Sequence, residues 1–159
     1  MRLVHHLCVA VLPLALAACS RSNAPTPVTA STQTASAEAE STVGNATVHV
    51  SAVPTTQLPP SVAQGYGIER APRRILLLVN LRDIGAGPAP AVTATVTDLQ
   101  EHTTPVDLRA IHVAGGDAST VDYVGTVDAT LPDTLRFQVV VRNAGTTASV
   151  QLSRDFYPE

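Results

Sequence analysis

Between Thr47 and Phe156 most runs of this chain carry their large apolar residues at every second position. Successive side chains leave a β-strand on opposite faces, so this spacing suits strands with one wall buried and does not line one face of a helix. The segment "TLRFQVVVR" (134–142) shows the pattern: Leu135, Phe137, Val139 and Val141 face one way, Arg136, Gln138 and Arg142 the other. Related runs stand at 47–53, 91–99, 105–113, 120–128 and 148–156. The run "RRILLLVNLRDI" (73–84) is apolar almost throughout, as suits a central strand buried on both sides. Turn signals separate the runs at "GAGPAP" (85–90), "AGGD" (114–117), "LPD" (131–133) and "NAG" (143–145). About seven strands with short connections predict an all-β fold, an immunoglobulin-like antiparallel β-sandwich. A small barrel is the alternative. The Cys and Trp marks of antibody domains are absent, so the architecture alone is implied.

The first residues read differently. "MRLVHHLCVAVLPLALAAC" carries one charge at Arg2 and an apolar run from Leu7 to Ala18. That run is shorter than the roughly 20 residues a membrane span needs, so it reads as an export signal. Leu16, Ala17 and Ala18 before Cys19 resemble a bacterial lipobox, with small residues for the peptidase and a thiol to take lipid. An ordinary signal peptide cut near Ala18 is the alternative. Several acyl chains on one residue anchor stably, where a single chain is marginal. Ser20 is not the Asp expected of inner-membrane retention, so the expected location is the outer membrane of a Gram-negative bacterium, facing the periplasm. Residues 20–44 contain no aromatic, Leu or Ile and show no apolar periodicity, too little to offset the entropy of ordering. The expected organisation is a lipoprotein signal peptide at 1–18, a lipidated Cys and disordered tether at 19–44, and one β-sandwich domain at 45–159.

Composition excludes several classes of function. Cys8 leaves with the signal and Cys19 is consumed by lipid, so neither a disulfide nor a thiolate metal cluster is expected. Without Arg2, nine arginines against 13 acidic residues leave a net charge of −4, which argues against a nucleic-acid partner. No lysine is present, which excludes a Schiff base. His49 and His112 stand alone on expected strands, and the aspartates lack the spacing of a calcium loop. "GAG" at 85–87 lacks the helix that a phosphate loop requires, and no Ser-His-Asp motif occurs. The expectation is therefore no cofactor, no metal and no catalytic residue.

The stretch "LPPSVAQGYGIER" (58–70) breaks the alternation. It suits a one-turn helix capped at Ser61 and ended by Gly65, with Val62, Ala63, Tyr66 and Ile68 closing an open end of the sandwich. The order of first strand, then Tyr66, Gly67, Ile68 and Arg70, then a buried strand, and finally Phe156, Tyr157 and Pro158, resembles the domain of unknown function 4426 family of small exported bacterial proteins. The resemblance covers residues 47–159 and implies the fold; it implies no activity. The lipobox, the tether and "ILLLVNL" (75–81) depart from the family's usual pattern.

Only five of the 159 residues are aromatic, and three of them lie in the Tyr-Gly turn and in "DFYPE". Tyr66, Arg70, Arg73, Arg74, Phe156 and Tyr157 are therefore the candidate binding residues, aromatic plates and guanidinium forks suited to a carboxylate or a peptide end. The same stretch read as a purely structural lid is the alternative. The function expected is a non-catalytic, monomeric binding or assembly module that offers an edge strand or end loops to another envelope protein. An envelope hydrolase with a cryptic site is the rival.

Overall fold

The structure is a computed structural model that describes residues 38–85, 87–112 and 119–158. The expected signal peptide, Cys19, the tether up to residue 37 and the "AGGD" turn lie outside the described residues. Nine strands appear among the described residues: β1 (Glu38–Val43), β2 (Ala46–Pro54), β3 (Arg74–Arg82), β4 (Ala91–Thr97), β5 (Thr103–Val106), β6 (Arg109–Ile111), β7 (Val121–Asp128), β8 (Asp133–Asn143) and β9 (Thr146–Phe156). They form two antiparallel sheets, β1-β2-β3-β7-β6 and β5-β4-β8-β9, with no closed barrel. Alternation places the core as the sequence predicts. Leu135, Phe137, Val139 and Val141 are buried on one wall, and Val48, Val50, Ile75, Leu77 and Val79 belong to the same cluster.

Two strand assignments need correction. Residues 38–43, assigned to the tether, form β1, which pairs with β2 from Glu38↔Ser51 to Val43↔Ala46. The two-residue turn Gly44-Asn45 joins them, with Gly44 at φ 61, the geometry glycine adopts at the first position of a tight hairpin. Val43 is fully buried, so the pairing, rather than local composition, orders this segment. The run 105–113, expected as one strand, divides into two that lie in different sheets. β5 pairs with β4, the chain crosses at Asp107–Leu108, and β6 pairs with β7. The crossing passes directly over Gly125 of β7, where a Cβ would lie 2.6 Å from the Asp107 carbonyl oxygen. Only glycine leaves room for that backbone.

The stretch 58–70 contains α1 (Pro60–Gly65), as expected, but neither cap is the expected one. Pro59 is the N-cap, no side chain caps the helix, and Ser61 lies inside it. Pro60 at the first helical position needs no partner for an N–H it lacks. At the other end Ile68 N–H donates to Ala63 O (2.8 Å) and Gly67 N–H to Gln64 O (2.9 Å), with Gly67 at φ 60. This is a Schellman motif whose left-handed residue is Gly67, not Gly65.

Nor does the stretch close an end of the sandwich. Leu76 and Val124 are 1 % exposed yet stand outside the core cluster, because alternation turns them to the outer face of the five-stranded sheet. With Ala63 buried and Tyr66 bonded to Asp122 on that same face, the stretch is a lid laid over the sheet.

Candidate functional site

Polar contacts fasten this lid along its length. The Tyr66 hydroxyl donates to Asp122 Oδ2 at 2.8 Å, and the other Asp122 oxygen accepts from Asn80 Nδ2 at 2.5 Å. Arg82 Nε in turn donates to Asn80 Oδ1 at 2.9 Å, which orients the amide. Asp122 is buried, and its two oxygens are met by neutral donors. Burial, then the hydrogen bond to Asp122 and its charge, push the Tyr66 hydroxyl up to about 12. At the helix C-terminus an Arg109 guanidinium nitrogen donates to the Tyr66 and Gly67 carbonyls, a cation where the helix dipole favours one. At the far end the fully buried Thr55 exchanges two bonds with Ala71, Oγ1 donating at 3.1 Å and accepting from the amide at 3.0 Å.

The six candidate residues are not brought to one place. Phe156 is 2 % exposed, a core residue with the Arg154 guanidinium 5.2 Å from its ring centroid, which corrects its reading as a surface plate. Arg70 donates to the Thr55 and Thr56 carbonyls and so ties the lid to the 3-10 turn (Thr55–Gln57) that follows β2. Arg74 meets Asp128 at 3.0 Å and Glu69 at 3.1 Å, and the Asp128 bond, followed by that charge and by Glu69, holds its guanidinium above the usual range. Arg73 and Tyr157 do come together, beside a separate hollow of about 180 Å³.

A larger hollow of about 340 Å³ opens beside the lid, lined by Glu69, Arg74, Asp107, Arg109 and Thr126 among others. Arg109 and Asp107 carry no motif and were not expected there; they arrive because the chain crosses between sheets at 107–108.

The hollow borders an incomplete strand edge. β6 pairs with β7 only at Asp122, Tyr123 and Val124. In an antiparallel ladder the residues whose N–H and C=O face one neighbour alternate with those that face the other. Ala129 N–H donates to Arg73 O at 2.9 Å in the β3–β7 register, so Val127 and Gly125 face β3, while Asp122, Val124, Thr126 and Asp128 face the β6 side. β6 ends before Thr126 and Asp128, and among the described residues no strand pairs with the side of these two that faces away from β3, an open edge. A third hollow, of about 200 Å³ and lined by Val96, Val127, Asp128 and Leu135 among others, lies on the inner side of this edge.

A family model described as a domain of unknown function, DUF4426, matches residues 40–159, which include most of β1. A crystal structure of a DUF4426 family protein from Pseudomonas aeruginosa is similar to this chain at a TM-score of 0.60 and 20 % identity, covering 77 % of this chain and 97 % of that one. At that identity the likeness concerns the fold. No curated protein matches the chain.

Proposed function

This chain belongs to the DUF4426 family, and on that footing we propose that it is a non-catalytic binding module of the Gram-negative envelope that takes an extended peptide onto the open edge of β7. In this reading the two sheets are an immunoglobulin-like sandwich, and lipid on Cys19 holds it to the outer membrane, facing the periplasm. One observation carries the binding reading: the main-chain groups of Thr126 and Asp128 face away from β3 beyond the end of β6. A strand added there gains main-chain hydrogen bonds, and its alternating side chains enter hollows on the two faces of the edge. Those hollows are present, one beside Thr126 and one beside Val127.

The rival hydrolase would need a hydroxyl nucleophile beside a base. Among the described residues His49 meets Glu38 and Glu40, His102 meets Asp98, and His112 is exposed; none of the three rings bonds a Ser or Thr hydroxyl of the described residues. The ionic groups beside the edge are largely engaged in holding the lid, which favours recognition over chemistry.

A photoreactive side chain placed at Arg109 tests the edge in cells. Thr126→Ala keeps the main chain and should retain the captured partner, whereas Thr126→Pro removes an N–H that faces away from β3 and should lose it without unfolding the domain. Capture of the same partner by a folded Thr126→Pro variant would overturn strand addition.

A further inference from the structure

We propose that the hollow beside Arg73 and Tyr157 is a binding site for a carboxylate carried on an apolar group, such as the last residue of a peptide chain. It is distinct from the open edge of β7.

Residues 71–74 form a β-turn closed by Arg74 N–H donating to Ala71 O at 3.3 Å. Pro72 occupies the second position, and Arg73, at φ 64, the third. This is the type II geometry, in which the third position calls for Gly or Asn, because a Cβ there crowds the backbone. Arginine is a costly choice at such a place, and a non-glycine residue held in a strained backbone conformation is a reason to look for a use of its side chain.

Its neighbours sharpen the contrast. Arg70 is spent on the Thr55 and Thr56 carbonyls and Arg74 on Glu69 and Asp128. The exposed Arg73 guanidinium meets no carboxylate or carbonyl of the described residues.

What it borders is apolar. Ile75 and Leu131 line the hollow, Pro54 and Pro72 contribute apolar rings, and Tyr157, 67 % exposed, forms an aromatic wall. A volume of about 180 Å³ exceeds the roughly 150 Å³ of an apolar cavity that takes benzene, so one phenyl or branched aliphatic group fits. A guanidinium fork at the rim of such a hollow matches a carboxylate attached to that group, bonded in bidentate fashion. An ammonium in the same position would be repelled.

Calorimetric titration of the full chain with three ligands tests this: a blocked peptide ending in a phenylalanine carboxylate, the same peptide as its C-terminal amide, and 3-phenylpropionate. The amide should bind about tenfold or more weakly than the acid. A peptide acid that binds much tighter than 3-phenylpropionate identifies a chain end as the ligand; equal binding identifies a small apolar acid. Arg73→Gly is the decisive variant, because it relieves the turn. It should melt at or above the parent's temperature while losing the acid-over-amide preference. Equal affinity for acid and amide, or an Arg73→Gly variant that keeps the preference, would overturn the proposal, and neither result bears on strand addition at Thr126.

Discussion

Tyr66 and Asp122 lie 56 residues apart in the chain, and the tyrosine hydroxyl donates to the buried carboxylate at 2.8 Å. The bond joins the lid to the central strands, so the ionisation of Tyr66 becomes a handle on the lid. In the folded chain the hydroxyl titrates at about 12 against an ordinary 10.0. The unfolded chain therefore loses this proton first as pH rises. The stability from the neutral tyrosine is complete below pH 10 and is lost between there and about pH 12. Denaturant midpoints of the parent should fall across that window more steeply than those of Tyr66→Phe, whose other tyrosines are unchanged. Parallel slopes would show that Tyr66 titrates normally.

Gly125→Ala should destabilise the domain, because the added Cβ would sit 2.6 Å from the Asp107 carbonyl and 2.8 Å from Val106 Cγ1. The first of these atoms is backbone and can yield only by shifting the crossing between sheets. We expect a loss of about 1–3 kcal/mol, read as a lowered denaturant midpoint. An unchanged midpoint would mean that the crossing does not press on β7.

Phe137→Ala removes the largest of the fully buried side chains. A cost of about 3–5 kcal/mol is expected from lost burial and the void left behind, measured by chemical denaturation. Wild-type stability would place the ring outside the core.

If Cys19 takes the lipid, as proposed, Cys19→Ser should release or mislocalise the protein, while the parent partitions with outer-membrane lipid. Fractionation with immunodetection reads this directly, and equal recovery of both forms in the soluble fraction would rule out the lipid anchor.

What could be read from the sequence follows from how far each interaction reaches. The wall of β8 was legible because the pleat is local: Leu135, Phe137, Val139 and Val141 share a face whatever lies opposite. The hairpin turn at 143–145 was legible for the same reason, its Ala144 and Gly145 both adopting positive φ. β1 was not. "EAESTV" has one large apolar residue, and its order comes from pairing with β2 and from the burial of Val43.

The candidate site divides along the same line. The sequence by itself determined that guanidinium and aromatic groups cluster around residues 66–74 and at the C-terminus, because residue type is a local property. Only the tertiary structure decided their fates. It buried Phe156, engaged Arg70 and Arg74, left Arg73 at a hollow with Tyr157, and brought Arg109 and Asp107 to the lid from a strand crossing that no local signal marks. Charge and hydrogen bonding act over a few ångströms in space, and chain folding, not sequence spacing, sets which partner stands at that distance.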